Sequence, residues 1–175
     1  EFASVTEWLE LPAGTYTVAV TPADAPISDA LIGPANLSLI GDTRITLIAT
    51  GLIGDNTFAP RVLLEDYREI PVGSVRVTVF HAIADAPALS IRFGDVMVPS
   101  LEFPGNAGSN SGAATVEIPA GTYEVEVTAD ADGTALLDAE TIDLVENSNY
   151  LIAIVGEIDG EPQIVVASTD QTEPS

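Results

Sequence analysis

Residues 9–21 of the chain read LELPAGTYTVAVT, and residues 116–128 read VEIPAGTYEVEVT. Nine of the thirteen aligned positions are identical, at an offset of 107 residues. The likeness continues downstream with small gaps, so that Ile45 aligns with Tyr150 and Gly51 aligns with Gly156. Self-similarity of this kind indicates a repeated structural unit. The 175-residue chain therefore carries two copies of one unit.

The two copies differ in how much of the unit they contain. The second copy begins near Val75 and runs to about Thr169. Applying the offset (75 − 107 = −32) places the counterparts of residues 75–107 at positions −32 to 0. We therefore expect residues 1–70 to form an incomplete repeat without its opening strands and residues 75–169 to form a complete one. Residues 71–74 are then a linker, and residues 170–175 are a polar tail.

Alternation with a period of two predicts β-strands throughout the chain. Tyr123, Val125 and Val127 alternate with polar residues, which gives one apolar and one acidic face. The other predicted strands of the second copy start at Val75 and cover 88–93, 113–118, 136–145, 150–157 and 163–168. Those of the first copy cover 5–11, 15–21, 30–40, 44–51 and 58–65. Short strands with regular turns predict an all-β chain of two tandem immunoglobulin-like antiparallel β-sandwich domains, the first of them incomplete.

The repeated Pro-Ala-Gly-Thr-Tyr turn is interpreted as structural. Gly14 and Gly121 can adopt a positive φ at low cost. Tyr16 and Tyr123 then open the next strand with a buried ring and a hydroxyl that needs a partner. The arrangement is either a tyrosine corner or an ordinary hairpin with tyrosine in the core.

Composition and charge exclude several classes of protein. The chain has 27 acidic and 5 basic residues, a net charge of −22, which excludes a nucleic-acid binder and argues against an anionic membrane partner. Hydrophobic residues make up 46% of the chain, too many for a disordered acidic tail. Cysteine is absent, so disulfides and thiolate ligands are excluded. No apolar run reaches the roughly 18 residues of a membrane span.

His81 is the only histidine, which excludes histidine-cluster metal sites and two-histidine catalysis. A serine–histidine–aspartate arrangement would need His81 with Asp85 as its orienting acid, but the chain has no Gly-x-Ser-x-Gly elbow. We expect His81 to end a strand and to hydrogen-bond within the following loop, with Asp85 as the candidate partner. No catalytic residue is predicted, and the protein is expected not to be an enzyme.

Three aspartates are weak candidates for a calcium site. Asp130, Asp132 and Asp138 are spaced like the start of an EF-hand loop. The pattern fails at its sixth and twelfth positions, which are Ala135 and Thr141. A solvated acidic turn is the favoured interpretation, and calcium is the one cofactor that the sequence leaves open.

Two further residues bear on sugar chemistry. Trp8 is the sole tryptophan, and we expect it on a strand in the core rather than in a sugar-stacking platform. Asn36 begins the sequence Asn-Leu-Ser, which is an N-glycosylation sequon.

Residues 75–87, VRVTVFHAIADAP, together with the later PAGTYEVEV, resemble the domain of unknown function 4397 family of secreted and cell-surface proteins. Its usual opening is an apolar strand, then His-Ala, two residues and Asp-Ala-Pro. Here these are His81, Ala82, Asp85, Ala86 and Pro87. The resemblance covers the second copy and the latter two-thirds of the first. It implies an extracellular β-sandwich module without known catalytic activity, in a family whose members often occur in tandem.

The expected function is that of a non-enzymatic extracellular structural or adhesive protein, such as a filament or surface-layer subunit. Its expected partners are copies of itself or neighbouring domains of the same protein. Three explanations for the missing opening strands stay open. They belong to a longer chain, a neighbouring subunit donates them, or the first copy folds as a reduced sandwich without them. The alternative function is a calcium- or carbohydrate-binding module of a larger secreted protein.

Overall fold

A computed structural model describes residues 2–54, 57–104 and 111–170 and confirms the all-β class. The chain divides into two compact units. The first, here called the hairpin unit, is Glu7–Asp66. The second, here called the sandwich unit, contains the described residues from Tyr67 onward together with those before Glu7. Most of the predicted tail, residues 171–175, lies outside the described residues.

The strands are numbered in chain order. The hairpin unit contains β1 (Gly14–Val20), a short 3-10 helix (Ile27–Asp29), β2 (Ile32–Leu39), β3 (Ile45–Thr50) and β4 (Ala59–Leu64). The sandwich unit contains β5 (Ser74–His81), β6 (Leu89–Phe93), β7 (Val96–Leu101), β8 (Ala113–Pro119), β9 (Gly121–Ala129), β10 (Glu140–Leu144), β11 (Asn149–Val155) and β12 (Gln163–Ser168).

The sandwich unit consists of two four-stranded sheets. One has the strand order β10-β9-β6-β7, and the other has the order β12-β11-β5-β8. Alternate residues of both sheets meet in one hydrophobic cluster, which includes Val77, Phe93, Val125 and Ile152. Because every second side chain of a strand points to the same face, the period-two pattern of the sequence places these residues inside. The shared core makes the unit β-sandwich-like.

Two details of the predicted sandwich are not what the structure has. The predicted antiparallel sheets are confirmed with one exception among the described strand pairs: β5 and β11 run parallel, with Asn149 opposite Arg76 and Ile154 opposite His81. The strand order also differs from that of an immunoglobulin constant domain, in which the first strand lies beside the second. Here the first strand of the unit, β5, lies between β11 and β8, while β6 lies between β9 and β7. The immunoglobulin-like connectivity is therefore not confirmed.

The hairpin unit consists of two separate antiparallel pairs, β1–β2 and β3–β4. Of its described apolar side chains, only that of Leu63 is buried. The predicted strand over residues 5–11 is wrong, because this stretch is irregular. Trp8 accordingly lies on no strand, and it is 37% exposed rather than in the core.

The sequence pattern missed one strand and lengthened another. Strand β7 was not predicted, and it contains Pro99, a residue that normally argues against a strand because it cannot donate to the sheet. The predicted strand over 136–145 is shorter, since β10 covers only Glu140–Leu144. The segment before it is attached by a single bridge between Thr128 and Ala135.

Candidate functional site

The repeated turn has the same geometry in both units. The Tyr16 hydroxyl donates to the Pro12 carbonyl oxygen at 2.7 Å, and the Tyr123 hydroxyl donates to the Pro119 carbonyl oxygen at the same distance. A tyrosine that bonds back to the backbone a few residues upstream plays the role of a tyrosine corner. The expected positive φ is not found at Gly14. The tyrosine hydroxyl, rather than that glycine, is the feature that the two turns share.

The β1–β2 hairpin repeats the β9–β10 hairpin position by position. Gly14 lies opposite Leu39, as Gly121 lies opposite Leu144. One residue further along, side chains bond across each pair: Thr15 to Ser38 at 3.3 Å, and Thr122 to Asp143 at 3.0 Å. Both hairpins therefore have the same register at their turn ends.

The β3–β4 hairpin likewise repeats the β11–β12 hairpin. Before the first strand of each, a polar residue has left-handed backbone: Asp42 with φ 58° and Asn147 with φ 60°. After it comes a glycine with positive φ, which is 101° at Gly51 and 118° at Gly156. A Cβ at Gly51 would lie 2.3 Å from the Thr57 carbonyl oxygen, so only glycine fits there. The hairpin unit thus contains counterparts of β9 to β12.

These equivalent strands differ in their neighbours. In the sandwich unit, β9 pairs with β6 as well as β10, and β11 pairs with β5 as well as β12. In the part of the chain that the structure describes, β1 pairs only with β2 and β3 only with β4. Edge strands of this kind are templates for a further strand. We define the free edges of β1 and β3 as the open edges, and they are the candidate functional site.

Apolar side chains next to the open edges are exposed where their counterparts are buried. Leu47 on β3 is 46% exposed, whereas Ile152, its counterpart on β11, is fully buried. Val18 on β1 is half-buried, whereas Val125 on β9 is fully buried. The hairpin unit thus leaves apolar side chains partly in water at positions whose counterparts in the sandwich unit are buried.

His81 ends β5, as predicted, but it does not bond to Asp85. Its Nε2 donates to the Pro87 carbonyl oxygen at 3.0 Å, and its Nδ1 accepts from the Ile83 amide at 3.2 Å. The Asp85 carboxylate instead accepts from the Ile158 amide at 3.2 Å. Burial lowers the pKa of His81. Because Nδ1 accepts the Ile83 amide, the proton of the neutral ring lies on Nε2. His81 therefore holds the loop after β5 together, and Asp85 links that loop to the segment between β11 and β12.

Two of the three candidate calcium ligands, Asp130 and Asp132, accept hydrogen bonds from neighbouring residues. The Asp130 carboxylate accepts hydrogen bonds from the hydroxyls of Ser90 and Ser100, which lower its pKa. Asp132 accepts from the Thr134 amide at 2.9 Å, and this bond lowers its pKa too. Asp138 is exposed. Among residues 2–54, 57–104 and 111–170 there is no group of three or more metal-ligating side chains that could hold an ion.

Two further predicted features have a place in the fold. Asn36 is an exposed residue of β2, so its side chain lies where a glycan would have room, and it stays a candidate site. No described helix is long and apolar enough to cross a membrane.

Sequence reasoning missed the role of Arg76. This residue is nearly buried on β5, and its guanidinium forms an ion pair of 2.6 Å with Glu117 on β8. The same guanidinium donates to the Arg68 carbonyl oxygen at 2.8 Å. A signal for it was available, because Glu117 is one of the nine identical positions of the repeat and aligns with Glu10.

Comparison with known proteins adds the family. The family model described as domain of unknown function (DUF4397) matches residues 1–92, slightly more than half of the 175-residue chain. The matched region includes the opening motif from His81 to Pro87 and the first Pro-Ala-Gly-Thr-Tyr turn, but it ends before the second turn. A search of curated proteins finds no match. The motif, the repeated turn and the family match together place the chain in the DUF4397 family.

Proposed function

We propose that the protein is a non-enzymatic structural or adhesive component of an extracellular surface. In this role it is a filament or surface-layer subunit that is joined to its neighbours by β-strand addition. The observation that carries the proposal is the pair of open edges on β1 and β3, in strands whose counterparts are paired on both sides. Strand addition to a sheet edge supplies main-chain hydrogen bonds, and alternate side chains supply specificity.

Stability supports the same proposal. An isolated two-stranded hairpin is at best marginally stable in water, and the hairpin unit consists of two of them. A domain of about 60 residues buries only about 60% of the surface that its unfolded chain exposes, so its stability is marginal even when it is well packed. Here Leu63 is its only buried apolar side chain among the described residues. Added strands would cover Leu47 and Val18, which gives assembly a hydrophobic driving force.

Charge supports an extracellular setting. The net charge of −22 makes copies of the chain repel one another at low salt. A saline medium screens that repulsion, because the Debye length is about 8 Å at physiological ionic strength. Exposed Glu124 and Glu126 on β9 keep the outer face of that sheet polar and solvated. The outer face of β9 thus presents carboxylates to the solvent.

Electron microscopy of natively isolated material, together with its intact mass and immunogold labelling of whole cells, tests the proposal. We expect ordered fibres or layers that are labelled on the outside of the cell. Unassembled particles, or label confined to the cell interior, would contradict the surface role.

A matched pair of variants tests the link to the open edges. Leu47→Lys places a charge beside the β3 edge and should abolish assembly. Val166→Lys, on β12 of the sandwich unit and similarly exposed at 40%, should leave assembly intact. Equal loss of assembly in both variants would show that the open edges are not the assembly site.

A further inference from the structure

The sequence that forms β8 in the sandwich unit has a counterpart at the start of the hairpin unit that does not form a strand. Residues 6–12 align with β8 at the offset of 107, yet they form no strand. Leu11, which aligns with Ile118, is 43% exposed, whereas Ile118 is 1% exposed. We call residues 6–12, of which all but Thr6 belong to the hairpin unit, the waiting segment.

The reason lies in the partner of β8. In the sandwich unit, β8 pairs with β5 over its whole length, from Ser74 opposite Pro119 to Phe80 opposite Ala113. On the other side, β5 pairs in parallel with β11. One strand therefore joins β8 to β11. The hairpin unit has counterparts of both, the waiting segment and β3, but in its described residues no strand lies between them.

A charged residue marks the same place. Arg76 on β5 pairs with Glu117 on β8 at 2.6 Å, and both side chains lie on the outer face of the sheet. The counterpart of Glu117 in the waiting segment is Glu10, an exposed residue. If an incoming strand has an arginine at the position of Arg76 and takes the register of β5, that arginine can form an ion pair with Glu10.

The open edge of β1 corresponds to the edge of β9 that pairs with β6, the strand that follows β5. Its counterpart β9 pairs with β6, antiparallel, from Leu89 opposite Ala129 to Phe93 opposite Val125. Strand β7 then covers the other side of β6. Within residues 2–54, 57–104 and 111–170, one continuous piece of the repeat, the counterpart of β5, β6 and β7, is thus not found beside the waiting segment, β1 and β3.

From these juxtapositions we infer that the hairpin unit binds a three-stranded segment of DUF4397 type with the pattern of β5–β7, whose first strand inserts between the waiting segment and β3. Its second strand pairs with β1. The inference rests on the proposed function in taking the open edges as the assembly site, and it adds the identity and register of the strands. The waiting segment becomes a strand when the segment binds.

An identical copy of the chain cannot fill this place without loss. As far as the structure describes the chain, each copy has two sets of strands that need strands like β5–β7, namely β1–β4 and β9–β12, and one set that supplies them. A copy that lends its block opens its own sandwich and exposes fully buried Val125 and Ile152. The donor is therefore a β5–β7-type segment that is not already part of a complete sandwich.

The test adds such a segment to the whole chain. Because residue 1 aligns with residue 108, a second copy of the sequence of residues 75–107 placed directly before residue 1 restores the frame of the repeat. Amide hydrogen exchange is measured for the waiting segment, β1 and β3. We expect exchange at all three to slow by about tenfold or more, because their amides become part of closed sheets. Exchange in β9 and β11 should not change.

Two matched variants control for a non-specific effect of the extension. Proline at the Val77 and Val79 positions of the added copy removes sheet donors, so this extension should give no protection. Arg76→Glu in the added copy should weaken protection, and Glu10→Arg in the same chain should restore it.

Three results would overturn the inference. The added segment could leave exchange in the waiting segment unchanged, or the proline-containing extension could protect equally well. The 175-residue chain alone could also already be protected at β1 and β3 in an assembly of identical copies. That last result would leave surface assembly standing but would make a second copy the occupant, so the two proposals fail separately.

Discussion

Strands β9–β12 and strands β1–β4 are two versions of the same structure in different surroundings. Both contain a tyrosine hydroxyl bond of 2.7 Å and the same pairing at the turn. In both, a polar residue with left-handed backbone precedes the third strand. They differ in burial, since Ile152 is fully buried while Leu47 is 46% exposed. The comparison teaches that turns and register are encoded locally, whereas the burial of a strand depends on the strands beside it.

The waiting segment and β8 make the same point for strand formation itself. Their sequences end alike, in Leu-Glu-Leu-Pro and Val-Glu-Ile-Pro, yet only β8 is a strand. Strand propensity is strongly dependent on context because it reflects packing against neighbours. β8 has β5 as its neighbour, and the waiting segment has no counterpart of β5 among the described residues.

The largest predicted difference concerns the two counterpart core positions. Ile152→Ala should lower the free energy of unfolding of the sandwich unit by about 2–5 kcal/mol, because it leaves a cavity in a closed core. Leu47→Ala should change stability by less than about 0.5 kcal/mol, since the side chain is already partly in water. Chemical denaturation of both variants measures the difference. Equal losses would mean that the hairpin unit has a closed core of its own.

A smaller effect is expected at the two tyrosines. Tyr123→Phe removes the hydroxyl bond to Pro119 and should lower the stability of the sandwich unit by about 1 kcal/mol. Tyr16→Phe removes the equivalent bond to Pro12 but should leave the main unfolding transition of the sandwich unit unchanged. Thermal melts followed by circular dichroism check the pair. The comparison breaks if Tyr16→Phe shifts that transition as much as Tyr123→Phe does.

The smallest expected effect is a difference in pH dependence. Burial lowers the pKa of His81, so the unfolded chain takes up the proton first, and the sandwich unit loses stability as the pH falls below about 6.5. Burial raises the pKa of Glu65, so the unfolded chain ionises first, and the hairpin unit loses stability as the pH rises above about 4.5. Between these two pH values, the free energy of opening that hydrogen exchange reports should rise with pH for the sandwich unit and fall with pH for the hairpin unit.

Two variants identify the groups responsible for these slopes. His81→Gln should flatten the slope of the sandwich unit, and Glu65→Gln should flatten that of the hairpin unit. Thr46 donates a hydrogen bond to Glu65, and this bond opposes the effect of burial on the carboxyl. Parallel slopes in the two units, or slopes that persist in both variants, would show that other groups govern the pH dependence.

Much of the fold was predictable because the signals are local. The strand predicted over residues 163–168 is β12 at the same bounds, and the β1 and β9 turns were recognised from their Pro-Ala-Gly-Thr-Tyr sequences. The parallel pairing of β5 with β11 was not predictable, since it joins residues more than 70 positions apart. The prediction of a strand over 5–11 was wrong, because the alternation of apolar residues does not show whether a neighbouring strand is present to pair with.

The candidate site was predictable only in part. The offset of the repeat predicts missing opening strands and, from them, strand addition, but the positions of the open edges follow only from the sheet order. His81 was correctly placed at the end of a strand, whereas its partner is the Pro87 carbonyl oxygen rather than Asp85. Loop hydrogen bonds depend on backbone conformation, which the order of residues does not specify.

The central claim is that β3 is a strand of an open half-sandwich and β11 is its closed counterpart. Amide hydrogen exchange of the 175-residue chain, measured residue by residue at low protein concentration, compares the two directly. The account predicts that amides of β11 exchange only through global unfolding of the sandwich unit, while those of β3 and β1 exchange through local opening at least about a hundredfold faster. Equal protection of β3 and β11 in the isolated chain would contradict it.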